Sequence, residues 1–526
     1  MGLLRWIVRC AIRRRMRQVR RALEDPVATQ ERLLLDMVRK ARRTEWGRSH
    51  DYARIRSVGD FQRAVPVTCY EDMAPLWHRA FDGARDVTWP GHIEHFTITS
   101  GTTTGIAKSM PISRAMGRAN RRAGTALLGL CCGQTPGTDL LGGKTLYFGG
   151  DTRLTRRGAC WEGTASGIAA AHLPRLAYRF RLPEPEVAAI DDWEERVGTI
   201  AARYADSDVR AVAGLPVWSL LLFRRLAEVA RERTGRADAT VRDLWPELAL
   251  FVGFGMALAP YRERLDELAG RPLAYVRTYS SSEGGLNAVQ SEQGDAAMRL
   301  DVDAGVFYEF VPRDELDADR PRRLTLAEVE PGVDYGILLT TPSGIWAYDV
   351  GDVVRFTSLS PPKIVFAGRS KLLLNEFGEH VIEEELEDAA AAACAACDAR
   401  VADFTVASVY PTSADSRSGH RWLVEFDGPA PSSDAFAARL DQRLVAVNLD
   451  YKLHRRHDFA MRPPRVIALA PGTFYQWARR HGQLGGQHKV PRIARSHAMA
   501  DELLDISRSL SQAGDSTPSP DGSGQG

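Results

Sequence analysis

The sequence predicts an α/β protein: a large first domain built on several sheets, followed by a small α+β domain. Three observations carry this. The chain has 526 residues, too many for one core when domains typically hold roughly 100–200. Strand-like and helical runs are mixed from residue 26 to 367, as layered helix and sheet require. After Gly368–Arg369 the texture shifts to a helix–strand–strand–helix–strand order. The predicted divisions are a basic amphipathic helix at 1–25, a first domain at 26–367, a hinge at 368–371 and a second domain at 372–512. The tail at 513–526 is rich in Ser, Pro, Gly and Asp, and its composition predicts disorder.

The elements follow in order. Leu4, Val8, Ile12, Val19 and Leu23 share one helical face, among arginines at 5, 9, 13, 14, 15, 17, 20 and 21. Arg5 and Arg9 break the apolar run too early for a secretory signal. Two readings stay open: weak contact of a basic helix with an anionic membrane surface, or a first helix packed on its own domain with a solvated basic face. Pro26 suits the first turn of a helix over 26–43, where Leu33, Leu34, Met37, Val38 and Ala41 have helical spacing. Ser113 caps a helix predicted to run to about Leu130, with Cys131–Cys132 just beyond its end. Pro216–Thr234 is a strong helical pattern ending at Gly235. Strands are predicted at Leu248–Val252, Leu273–Tyr279 and Gly305–Val311. A hairpin is expected about Pro342–Ser343–Gly344, between Tyr335–Thr341 and Ile345–Tyr348. In the second domain a helix is expected over Val381–Ala393, then strands at Phe404–Tyr410 and Arg421–Phe426, a helix near Asp434–Val447 and a strand at Arg465–Leu469. That order resembles a ferredoxin-like α+β lobe.

Composition narrows the function. The net charge is +2, so no global basic field argues for nucleic acid. No run approaches the roughly 20 apolar residues of a membrane span. Seven cysteines lie scattered, which fits a reducing, cytoplasmic setting better than a disulfide framework. Cys394 and Cys397 form a C-x-x-C inside an alanine-rich helical pattern with no second pair, a poor redox or zinc signature. Nothing in the sequence calls for an oligomer, and a monomer is favoured.

Five polar segments carry candidate chemistry. ITSGTTTGIAK (Ile98–Lys108) packs glycines and hydroxyls beside a lysine, a composition suited to cradling a polyphosphate, though it lacks the Gly-Lys-Ser/Thr ending of a Walker loop. An ordinary Ser/Thr/Gly-rich turn accounts for the same residues. TYSSSEGG (Thr278–Gly285) follows a strand-like run, so Glu283 stands where α/β sheets bind ligands and where one carboxylate can hold Mg2+; a turn glutamate is the plain alternative. In YDVGDVVRF (Tyr348–Phe356), Gly351–Asp352 sits between strand-like runs, and an aspartate there suits a ribose diol or an ordinary Gly-Asp turn. FAGRSKLLLNEFGEHV (Phe366–Val381) offers Arg369 as a rigid donor fork, while Glu379 can simply begin the next helix. In GQHKVPR (Gly486–Arg492), Lys489 lies on a loop, where a lysine is ordinarily a solvated charge. Trp218, Leu215 and Phe223 line either an apolar pocket or the core.

The order of these segments resembles the adenylate-forming superfamily, and more finely its acyl acid-amido synthetase branch, the auxin-responsive (Gretchen Hagen 3) family. TEWGRSH (Thr44–His50), DFQRAVPVTCYEDM (Asp60–Met73) and MPIS (Met110–Ser113) look like that family's N-terminal pattern. The resemblance spans about residues 30 to 495. It departs at Asp349, where plant members often carry arginine, at Ser280 before the Ser-Ser-Glu, and over Gly214–Leu222 in the acyl-pocket region.

The resemblance implies an ATP-dependent ligase. A carboxylic acid is adenylated with release of pyrophosphate, and an amino acid or other amine then takes the acyl group, releasing AMP. By similarity, Thr99, Ser100, Gly101, Thr102, Thr103 and Lys108 would grip the phosphates, and Ser281 and Ser282 would also bind the nucleotide. Glu283 would hold Mg2+, Asp352 the ribose hydroxyls, and Arg369 the ribose or α-phosphate. Gly253, Phe254, Gly255 and Tyr279 would border the adenine. Lys489 would swing in to serve adenylation about the hinge. Two rivals remain at this stage: an acyl-CoA or carrier-protein ligase, and an inactive nucleotide-binding scaffold at a membrane surface.

Overall fold

A computed structural model describes residues 2–98, 108–149, 152–173, 175–190, 192–255, 258–316, 318, 320–369, 374, 379, 381–409, 419–448, 451–452, 455, 461–484, 489–494 and 497–515. The chain divides into two compact units, the first over Met1–Lys371 and the second over Leu372–Leu484 and from His488 onward.

In the first unit, helix Gly2–Glu24 lies against helix Arg114–Gln134. A Cβ at Gly129 would come within 2.8 Å of Met16 and 3.1 Å of Ile12, so the missing side chain sets the approach of the two helices. Ile12, Val19 and Ala22 are buried. Arg15 is buried with them and donates to both carboxylate oxygens of Asp303 at 2.5 and 2.6 Å. The inner face of this helix therefore packs on its own domain. Helix Pro26–Ala41 opens with Asp25, whose carboxylate accepts from the Ala28 amide, as an N-cap should. Ser113 caps the helix Arg114–Gln134, which runs past Leu130. Cys131 and Cys132 thus lie in its last turns instead of following it. The apolar ladder simply continues: Cys131 packs with Leu140, Ala211 and Val252.

The strands of this unit are β1 (His95–Ile98), β2 (Ser109–Ile112), β3 (Lys144–Phe148), β4 (Leu154–Arg157), β5 (Cys160–Gly163), β6 (Arg181–Leu182), β7 (Val209–Gly214), β8 (Leu250–Phe254), β9 (Ala274–Ser281), β10 (Gly285–Val289), β11 (Met298–Leu300), β12 (Phe307–Pro312), β13 (Asp334–Thr341), β14 (Ile345–Leu359) and β15 (Pro362–Arg369). Among the described residues they form a four-stranded sheet, β2-β1-β5-β4, and an eleven-stranded sheet, β12-β13-β14-β15-β11-β10-β9-β8-β7-β3-β6. The large sheet has two halves. From β6 to β9 neighbours run parallel; from β9 to β12 they run antiparallel. The parallel strands read as near-continuous apolar runs (VRAVAG, LFVGF), as strands covered on both faces do. Helix Pro216–Thr234 ends at Gly235, left-handed at φ +66°. The β13–β14 hairpin turns at Gly344, also left-handed. Leu215, Trp218 and Phe223 are buried, and Trp218 meets Trp193 edge-on at 5.5 Å; they belong to the core.

The second unit contains helix Glu383–Cys397, β16 (Val401–Val409), β17 (Gly419–Phe426), helix Ser433–Val447 and β18 (Arg465–Leu469). Among the described residues its sheet has the order β16-β17-β18, antiparallel then parallel. The two long helices cover one face through Leu386, Ala390, Phe436 and Leu440, packed on Phe404 and Trp422. Cys394 and Cys397 are free thiols on the first of these helices, and burial pushes the Cys394 thiol up to about 11, the opposite of a redox thiol. The last helix, His497–Asp515, extends past Ala513, where low-complexity composition predicts a tail; residues 516–526 lie outside the described residues. Its apolar residues Met499, Leu503 and Ile506 are buried and hold the first half of the helix.

Candidate functional site

The parallel half of the large sheet ends its strands on one edge, where α/β sheets take ligands. At that edge β8 closes with Gly253–Phe254 and the turn residue Gly255. Gly253 pairs with Gly214 of β7 and with Arg277 of β9. The Phe254 ring stacks on Tyr147 at 5.8 Å, giving a flat aromatic wall.

The next strand, β9, ends in the Ser-Ser-Glu motif, at the junction between the parallel and antiparallel halves. The Ser281 hydroxyl accepts from the Gly284 amide at 3.0 Å and from Asn287 Nδ2 at 3.1 Å, so it fixes the turn that presents Ser282 and Glu283. Gly285 is left-handed, and a Cβ there would meet Asn120 at 2.2 Å; only glycine fits this turn. Glu283 and Ser282 are half-buried.

Asp352 is buried, and the Tyr279 hydroxyl donates to its Oδ2 at 2.7 Å. Two motifs 73 positions apart thus meet through one hydrogen bond. The sequence suggests a turn between strands at Gly351–Asp352; instead both lie inside the single strand β14. Its register against β13 shifts between Gly336/Val353 and Leu338/Asp349. Gly351 takes φ +75° there, and its amide bonds to Asp349 at 2.8 Å. The strand bulges without ending. Asp352 pairs across the ladder with Arg369 of β15, which brings the Gly-Arg motif to the same place, and Phe366 of β15 lies 6.0 Å from the Tyr279 ring.

A charged neighbourhood adjoins this point. Lys108, just before β2, lies 3.9 Å from Glu71 and 5.0 Å from the centroid of the Tyr70 ring. Thr68 pairs with Tyr348, which brings the start of helix Tyr70–His78 beside β14. Burial pushes the Tyr348 hydroxyl well above its ordinary range, and the nearby negative charges of Glu283, Glu71 and Asp349 push it further. Lys108 and Glu283 therefore share one neighbourhood through Glu71 and Tyr348. Thr99, Ser100, Gly101, Thr102 and Thr103 lie outside the described residues, as does the Arg369 side chain. Glu71 and Tyr348 were not singled out from the sequence as site residues. Both stand in quoted motifs, but only the β-bridge at Thr68 makes them neighbours.

In the second unit Lys489 is not a solvated charge. Its Nζ lies 3.3 Å from Glu383 Oε1, with side-chain exposures of 18% and 9%. Arg492 anchors the segment: it pairs with Asp403, bonds to the Phe404 carbonyl at 3.0 Å and to Glu387 at 3.2 Å, and stacks 4.4 Å above the Phe404 ring. Glu379 does not begin the helix, which starts at Glu383. It is fully buried and meets His420 Nε2 at 3.0 Å, a hydrogen bond that no local pattern announces.

Among the described residues, no group of three or more His, Cys, Asp or Glu side chains forms a metal cluster, and no helix is long and apolar enough to cross a membrane.

Comparisons with known proteins bear on the family and the fold. The GH3 family N-terminal domain matches residues 15–198, the GH3 family central domain 300–369 and the GH3 family C-terminal domain 384–498. The chain is 26% identical to indole-3-acetic acid-amido synthetase GH3.8 of Oryza sativa subsp. indica, over 91% of this chain and 90% of that protein. It is 24% identical to probable indole-3-acetic acid-amido synthetase GH3.1 of Arabidopsis thaliana, over 90% of each. Among solved structures, GH3.15 acyl acid amido synthetase shares the fold at TM-score 0.75 and 20% identity, covering 92% of this chain and 94% of that one. A 2-hydroxyisobutyryl-CoA ligase in its postadenylation state superposes at TM-score 0.58 and 16% identity, over 94% and 93%. The domain matches extend over most of the chain and include β14, which carries Asp352. This chain belongs to the GH3 family.

Proposed function

We propose that this protein is an ATP-dependent acyl acid-amido synthetase. It adenylates a carboxylic acid and passes the acyl group to an amino acid or another amine. The observation that carries the reading is the Tyr279–Asp352 hydrogen bond of 2.7 Å, which ties the Ser-Ser-Glu turn to the Gly-Asp bulge at the ligand-binding edge of the sheet.

In the first step a carboxylate oxygen forms a bond to the α-phosphorus and the bond to the β-phosphate oxygen breaks. Pyrophosphate leaves. Two anions must approach, so catalysis rests on alignment and charge neutralisation. Lys108 and residues 99–103 grip phosphates. Asp352, oriented by Tyr279, accepts hydrogen bonds from the ribose hydroxyls, and Arg369 follows it on the neighbouring strand. The Phe254 wall and Tyr279 border the adenine. Mg2+ suits Glu283: the turn offers one carboxylate near other negative charge, and Mg2+ prefers one or two carboxylates with phosphate oxygens completing its shell. The bound ion would offset phosphate charge. In the second step the amine nitrogen attacks the acyl carbon, loses a proton, and AMP leaves.

Lys489 supplies positive charge to the adenylation step once released from Glu383. Of the hinge expected at 368–371, Gly368 and Arg369 belong to β15, and residues 370–371 lie outside the described residues. Seven free thiols support a reducing, cytoplasmic setting. Pyrophosphate release, screened over aryl and aliphatic acids with and without an amino-acid pool, tests the reading. Indole-3-acetic acid enters that screen because the relatives are named for it. Amide formation from amino acids, with no thioester from CoA, is the expected result; turnover with CoA alone would transfer the protein to the acyl-CoA ligases.

A further inference from the structure

Helix Gly2–Glu24 has a second face that the domain does not use. It carries eight arginines and one acid, Glu24. Arg15 is spent inside on Asp303, Arg9 on Asp139 and Arg5 on the Gly142 carbonyl at 2.9 Å. Arg13, Arg14, Arg17, Arg20 and Arg21 are exposed, and among the described residues none has an acidic partner. At helical spacing they share the outward face with Trp6 and Ile7, opposite the buried Ile12, Val19 and Ala22. Trp6 is 62% exposed and Ile7 49%. On the neighbouring helix, Arg118 and Arg121 are also exposed. The net charge of the whole chain is only +2, so this basicity is local.

We propose that this outward face docks on an anionic lipid bilayer, the Trp6–Ile7 end seated at the headgroup level and the arginines on lipid phosphates. Two features of one helix support that occupant. Five unpaired cations complement a negative surface. An exposed tryptophan beside an isoleucine is costly in water yet suited to a membrane interface, where an indole buries its ring and keeps its N–H wet. Nucleic acid would use the arginines but gives Ile7 nothing to bury against. The helix lies in the membrane plane, with the buried stripe left on its own domain. This inference does not rest on the ligase reading.

The experiment is co-sedimentation of the full chain with phosphatidylglycerol/phosphatidylcholine vesicles against pure phosphatidylcholine, at low and high salt, with duplex DNA as a competing arm. The expected result is salt-sensitive partition onto anionic vesicles only. Arg13→Glu, Arg17→Glu and Arg20→Glu combined should lower that partition at least about tenfold. Trp6→Ser with Ile7→Ser should lower it severalfold, and pyrophosphate exchange in solution should be unchanged for both. Should the charge-reversed protein fail to fold, the Trp6/Ile7 variant and the salt series still decide. No binding to anionic vesicles, equal binding by the variants, or preference for DNA over vesicles each overturns the proposal.

Discussion

Asp352 is buried in the sheet of the first unit, its carboxylate already engaged by the Tyr279 hydroxyl, whereas Lys489 sits on a loop of the second unit, bonded to Glu383. Both are single charged residues in short motifs, and the fold treats them differently. Asp352 is held by a ladder: β13 and β15 flank its strand, and the bulge at Gly351 aims it. Lys489 is held by its ion pair with Glu383, three residues before an arginine that does the anchoring. A group that binds nucleotide throughout the reaction gains from such preorganisation. A group needed only during adenylation gains from a contact it can exchange.

Five substitutions test that contrast, the largest effect first. Lys489→Ala should reduce ATP–pyrophosphate exchange by roughly 10²–10³-fold, the scale of losing one transition-state charge partner, while equilibrium ATP binding stays near wild type; an unchanged exchange rate would remove the lysine from the chemistry. Asp352→Asn should act on binding, raising the KM for ATP about 10- to 100-fold through loss of charged hydrogen bonds. If kcat fell with KM untouched, the ribose assignment would be wrong. For Glu283→Ala, a Mg2+ titration should shift to about tenfold higher metal, and superimposable curves would count against metal binding there. Tyr279→Phe removes the hydroxyl that donates to Asp352. It should cost about 1 kcal/mol of stability, read by denaturant melts, together with a severalfold rise in KM for ATP. The smallest effect is expected for Glu383→Gln, which weakens the hold on Lys489. Exchange should rise by about two- to threefold, within the range of one weakened charged hydrogen bond; a fall would make Glu383 a positioning residue instead of a restraint.

Local chemistry was legible wherever it was strong. Helix Pro216–Thr234 has proline at its start and left-handed Gly235 at its end, and both ends lie where the sequence puts them. The hairpin at Pro342–Gly344 and strand Arg465–Leu469 are equally local, set by turn residues and an apolar run. Boundaries slipped where neighbours decide: β8 starts at Leu250, two residues past its apolar onset, because pairing with Ala211 begins there. Gly351 illustrates the harder case. A Gly-Asp pair reads as a turn, but pairing with β13 on both sides of the bulge, and with β15 from Asp352 on, carries the strand past it. Glu379 misleads in the same way, since its partner His420 lies 41 positions away.

The sequence by itself determined the α/β class, the second, smaller α+β lobe and the identity of the polar motifs, because helix periodicity, turn chemistry and motif spacing are local properties of the chain. Tertiary structure alone decided which motifs touch. Tyr279 meets Asp352, Glu71 lies beside Tyr348, and Arg15 is buried while Arg14 and Arg17 face water, because those outcomes depend on sheet order and on which face of a helix finds a partner.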